Sequence, residues 1–154
     1  MKNTPKIKKA LALVGLLAAA CEGYREQPYI DLGGFMTTGT GHKITGHETT
    51  TDPEKLFKQD VETALSCVDR NAPDDLTAEQ MAAVADLAYN MGCSGMLKTT
   101  FFARLRQGQF DENALLDINK VHGNTVRGLT VRRAIESCLY KHGELQDCLR
   151  QYGK

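Results

Sequence analysis

EGYREQPYIDLGGFMTTGTGH, residues 22–42, is the stretch whose reading decides the fold. It begins where an apolar run ends and changes character at once. Glu22-Gly23 closes the preceding segment, because glycine readily stops a helix. Gly33-Gly34 then lies between short runs bearing Tyr29, Ile30, Phe35 and Met36, a hairpin signal. Thr37, Thr38 and Thr40 suit strands, and Gly39, Gly41 and Gly46 mark turns. A small antiparallel sheet is expected over about 24–51.

Upstream, residues 7–23 read as a helix ended by Gly23. Lys2, Lys6, Lys8 and Lys9 precede ALALVGLLAAAC, residues 10–21. A basic start followed by an apolar run is the pattern of an export signal. The run is short for a bilayer span, which needs about 20 residues. A buried first helix reads the same segment equally well, and both readings stay open.

Downstream the pattern is helical. Thr51-Asp52-Pro53 is an N-cap with proline in the first turn. Leu56, Val61, Leu65 and Val68 recur at helical spacing up to Asn71. Thr77 with Gln80 forms a capping-box pattern opening a helix that Gly92 stops. One helix is expected over about 95–107, and shorter ones over 111–118, 130–141 and 144–151. The layout is α+β by segregation: an early β-containing lobe, then an all-helical remainder.

Composition narrows the function. The 154 residues are 42% apolar and 25% charged, an ordinary globular profile. Basic and acidic residues balance at 19 each, which gives no support to a nucleic-acid partner. Cys21, Cys67, Cys93, Cys138 and Cys148 include no CxxC spacing. Cys67 with Cys93 and Cys138 with Cys148 are candidate disulfides, leaving Cys21 over; buried thiols are the alternative. His42 and His47 lack a helical pairing of the kind that binds zinc, so no metal is expected.

Two carboxylates carry the chemistry. Glu22 ends an apolar helix, a setting that favours the protonated carboxyl; Asp31 enters a polar Gly/Thr segment and stays ionised. Glycosidic hydrolysis needs that asymmetry, one group to protonate the leaving oxygen and one to act on the opposite face. Thr37 offers a hydroxyl to hold water. By spacing alone the pair is weak evidence, and a solvated helix end with a turn Asp is the better reading.

Four segments in order resemble the phage-type lysozymes, or endolysins, of glycoside hydrolase family 24. They are Glu22-Gly23 to Asp31 at P-Y-x-D, then Thr37-Thr38-Gly39-Thr40-Gly41-His42. Leu76-Thr77 through Tyr89-Asn90-Met91-Gly92 comes next, and Gly128-Leu129-Thr130-Val131-Arg132-Arg133 with Glu136 last. Glu, eight residues, Asp, five residues, Thr is the family's catalytic spacing.

The resemblance implies a lysozyme-like fold with a cleft between the lobes. Residues 1–21 would form an N-terminal helix and 22–154 one catalytic domain. It implies hydrolysis of the β-1,4 bond between N-acetylmuramic acid and N-acetylglucosamine in peptidoglycan. Glu22 would be the general acid, with Asp31 and Thr37 handling water and inverting the sugar centre. No cofactor is implied. His42, Arg132 and Arg133 would contact substrate or support the cleft; for the arginines, a solvated or ion-paired helix face is the plainer reading. The enzyme would act as a monomer on the wall in the periplasm, reached through a holin-type pore or by transient membrane association of residues 10–21. A wall-binding or phage structural module with the same fold is the competing reading, and keeping Glu22, Asp31 and Thr37 together argues against it. Two departures bear on sugar stacking: Thr40 stands where the family often has an aromatic, and the chain has no tryptophan.

Overall fold

The computed structural model describes residues 1–23, 25–30, 36–39, 42–48 and 50–153. Its first helix, α1, runs Pro5–Glu22, two residues earlier than the apolar pattern suggests. The reason is local: the Thr4 side chain accepts from the Ile7 amide, and Pro5 occupies the first turn. Gly23 ends it at φ 69, a backbone angle costly for any side chain. Ile7, Ala10, Val14, Leu17 and Ala18 face the core, while Leu16 on the other side is 56% exposed. Helix α1 is therefore an integral wall of the core. Among the described residues no helix is long and apolar enough to cross a membrane.

A three-stranded antiparallel sheet follows, in the order β1 (Arg25–Ile30), β2 (Met36–Gly39), β3 (His42–Lys43). Tyr29 pairs with Thr37, and Thr37 with Lys43, so Thr37 sits on the central strand. The Gly33-Gly34 turn lies outside the described residues. Helix α2, Pro53–Asn71, packs beside β2 and β3 and starts on the Asp52 cap.

Helix α3, Ala78–Met91, is the axis of the helical lobe, with α1, α2 and α7 around it. The Thr77/Gln80 capping box is present on both sides. The expected helix over 95–107 is instead two: α4, Cys93–Leu97, and α5, Thr100–Arg106. Thr99 divides them. Its hydroxyl donates back to the Met96 carbonyl and accepts from the Phe102 amide, ending one helix and capping the next.

Helix α6, Glu112–Leu116, precedes a feature that corrects the all-helical expectation. Strands β4 (Lys120–Val121) and β5 (Asn124–Thr125) form a hairpin through His122 and Gly123, at φ 50 and 82. Two consecutive positive φ values define a turn that suits strand twist. Helix α7, Arg127–His142, begins directly after it, and α8, Leu145–Tyr152, closes the chain.

Disulfides join Cys67 on α2 to Cys93 at the start of α4, and Cys138 on α7 to Cys148 on α8. Cys21 is a free thiol, half-buried.

Candidate active site

Glu22 is the last residue of α1, placed there by the glycine that stops the helix. Its carboxylate is 21% exposed and pairs with Nη1 of Arg132, which α7 brings in from the far side of the sequence. Arg132 itself is enclosed at 5% exposure. Its Nε donates to Asp86 Oδ2 and its Nη2 to Asp86 Oδ1, each at 2.8 Å. Such a two-point pair fixes the guanidinium plane as well as its position. The Tyr89 ring lies 5.8 Å from the guanidinium carbon and flanks it.

Burial alone would push the Asp86 carboxyl up, but the charge and hydrogen bonds of Arg132 outweigh it and hold Asp86 below the usual range. Burial also works against the charge on Arg132, and Asp86 and Glu22 more than restore it. Burial pushes the Tyr89 hydroxyl up, and the Cys21 thiol up to about 12.

Arg133 points the other way around α7. It donates from Nη2 to Asn90 Oδ1 at 2.8 Å and to Glu136 Oε2 at 3.0 Å. Its Nε lies 2.7 Å from Glu136 Oε1, an ion-pair contact with too poor an angle for a hydrogen bond. Burial, together with the neighbouring Asp86 carboxylate, raises the Glu136 carboxyl well above the usual range against the pull of Arg133. Of the two neighbouring carboxyls, Glu136 is therefore the one that favours its proton.

Of the readings open for the arginines, the ion-paired one describes them: both are buried and bound to carboxylates, and neither reaches outward toward a ligand. Their geometry is that of support. The same holds for His42, whose Nδ1 lies 2.5 Å from Asp60 Oδ2 and whose Nε2 lies 2.9 Å from Glu48 Oε1. Glu48 in turn accepts from the Thr45 and Gly46 amides, closing the turn after β3. His42 therefore clamps the sheet edge to α2.

Thr37 is buried on β2. Asp31 lies outside the described residues, as does the distance between it and Glu22. Among the described residues no group of three His, Cys, Asp or Glu side chains is arranged to hold a metal ion. Sequence reading missed Asp86. Its signal was available: it is the lone acid in the otherwise apolar stretch Met81–Ala88 of α3, which is buried on every side. A charge in such a place needs a partner from another element.

Comparison with known proteins gives concordant results. The phage lysozyme family model matches residues 19–136. An endolysin of Bacillus phage B103 is 29% identical over 150 residues, covering 90% of this chain, which spans only 56% of that relative's length. A SAR-endolysin of Escherichia phage Mu is 25% identical over 157 residues, covering 88% of this chain and 91% of that protein. Among solved structures, the active form of the P1 phage endolysin Lyz has a TM-score of 0.66 at 24% identity, with 90% of this chain and 84% of that one covered. That last likeness is one of fold.

Proposed function

This chain belongs to the phage lysozyme family, and from that premise we propose that it is an endolysin cleaving the β-1,4 bond between N-acetylmuramic acid and N-acetylglucosamine in peptidoglycan. Glu22 is the general acid that protonates the leaving oxygen. Asp31 activates the attacking water, with the Thr37 hydroxyl helping to hold it, and attack from the opposite face inverts the sugar centre. The observation that carries this reading is Glu22 itself: a partly exposed carboxylate at a helix end, anchored by an arginine that is otherwise buried.

The catalytic domain includes α1 as its first helix, since Val14 and Leu17 on that helix are fully buried in the core. Wall access has two routes, a holin-type pore or the N-terminal segment itself. Membrane insertion of residues 10–21 would withdraw Ala10, Val14, Leu17 and Ala18 from the core and displace Glu22. Insertion and activity therefore exclude each other, and an inserted chain is silent until release. Fractionation of cells expressing the chain without a pore-forming partner tests this; full activity in the membrane fraction would refute it.

The catalytic reading is tested by reducing ends released from purified peptidoglycan. Glu22→Gln keeps the size of the side chain and removes its transferable proton. Release should fall at least about a hundredfold, the lower scale of general-acid contributions. Equal release by wild type and variant would overturn the assignment and favour a wall-binding module.

A further inference from the structure

Asp86 is completely enclosed on α3, yet only one side chain, Arg132, stands between it and the proposed acid. We propose that Asp86 is a positioning residue for Glu22, acting through Arg132: it aims the guanidinium and cancels the charge that the guanidinium would otherwise impose on Glu22. This rests on the reading of Glu22 as the general acid.

The geometry supplies the first half. Arg132 commits Nε and Nη2 to Asp86, so the remaining Nη1 points in one direction only, toward Glu22. Anchoring from α3 thereby sets where a carboxyl on α1 can sit.

Electrostatics supplies the second half. An unneutralised cation beside a carboxyl favours the ionised form, while a general acid must arrive protonated. Something must therefore offset Arg132. The groups around this contact among the described residues are Cys21 on α1, Asp86 and Tyr89 on α3, and Arg133 and Glu136 on α7. Burial keeps the Cys21 thiol and the Tyr89 hydroxyl neutral. Glu136 holds a proton, and Arg133 is engaged by Asn90 and Glu136. Asp86 is what remains: an ionised carboxylate on the opposite edge of the guanidinium from Glu22.

The test is the pH profile of peptidoglycan hydrolysis by the full chain. Activity that needs a protonated acid falls on the high-pH side. Asp86→Asn keeps an acceptor for Arg132 but leaves its charge unopposed, so the high-pH limb should move to lower pH by about one unit, a tenfold loss of rate above the limb. Arg132→Gln removes the cation that favours the ionised form of Glu22, so the limb should move to higher pH while the plateau rate falls. A purely structural role would lower rates without moving the limb, and an unmoved limb in either folded variant overturns the proposal. Opposite movement of the two limbs is the signature, and thermal melts identify which variants fold; if one does not, the other decides. Glu22→Gln separates the two failures. If it retains wild-type rate, the general-acid reading itself fails. Where it is inactive and the limbs stay put, only the role of Asp86 is lost.

Discussion

Arg132 and His42 each sit between two carboxylates, and the two clusters behave as opposites. Arg132 lies between Asp86 and Glu22 and ties α7, α3 and α1 together. His42 lies between Asp60 and Glu48 and ties β3 and its turn to α2. The guanidinium stays charged at every working pH, whereas the imidazole titrates within the physiological range. The helical lobe thus holds the Glu22 carboxylate with a cation that cannot be switched off. The sheet is clamped by one that can. Burial follows the same division: Arg132 is 5% exposed and Asp86 0%, while His42 is 13% and Asp60 30% exposed.

Breaking the buried cluster should have the largest effect on stability. Arg132→Gln strands the enclosed Asp86 without its bidentate partner. Removing one member of a buried pair costs about 3–5 kcal/mol. Urea unfolding at neutral pH should show a loss of that size; a loss within about 0.5 kcal/mol, ordinary for surface positions, would mean the cluster is not buried as described.

The tie between the two regions comes next. Cys67 lies on α2, the helix of Asp60, and Cys93 follows α3, the helix of Asp86. The bond closes 26 residues, for which chain entropy gives about 3.5 kcal/mol. Replacing both cysteines by alanine should lower the stability by about that amount. Hydrogen exchange should show α2 and α3 loosening together. If α2 alone loosens, the two clusters are mechanically independent.

How much of this could be read beforehand depends on the range of the interactions. The caps at Asp52 and at Thr77 with Gln80 were legible because cap chemistry is complete within a few residues. The split at Thr99 was not. Threonine is tolerated in helices, and only the surrounding packing made its hydroxyl a cap rather than a passenger. The 120–125 hairpin carries His-Gly where Asn-Gly would announce a turn, and its strands are two residues each, too short for alternation to register. At the site, the position of Glu22 followed from Gly23. The destination of Arg132 did not, because its partner on α3 is 46 residues away and no local pattern links them.

A smaller effect is expected at the sheet clamp, and it should depend on pH. Burial disfavours charge on His42, but the bonds to Glu48 and Asp60 prevail and raise it above its ordinary 6.5. Its contribution is then complete below about pH 6.5 and fades as pH rises through the raised value. The Thr45 amide, then His42, lower Glu48 from 4.5 to about 2, so its share is present above 4.5 and fades as pH falls toward 2. Asp60, raised mainly by burial, opposes this weakly by favouring the fold where it is protonated. The clamp should therefore be strongest between 4.5 and 6.5. His42→Asn should cost at most about 1 kcal/mol there, the scale of part-exposed pairs. The difference in stability between wild type and variant should shrink on going to about pH 8.5. A difference that is flat across this range would remove the titrating clamp from the comparison.

The smallest effect should come from an acid as deeply buried as Asp86. Glu136 is fully enclosed, touches Arg133, and would on that count be called half of an ion pair. Its burial beside the Asp86 carboxylate points the other way. Asp86 is already held ionised by Arg132, so the proton between the two carboxyls belongs to Glu136. A protonated carboxyl is nearly the same size as an amide and, like it, offers both a donor and an acceptor. Glu136→Gln can turn its NH2 toward Asp86 and still accept from Arg133 Nη2 through its oxygen, giving up only the poorly angled contact to Nε. Stability should change by less than about 1 kcal/mol, against the 3–5 expected if an ionised partner were lost. A large loss would show Glu136 to be the charged partner of Arg133, and Asp86 would then have to carry the shared proton. Asp86 would no longer cancel the charge of Arg132, and the contrast between an unswitchable cluster and a titrating one would fail at its centre.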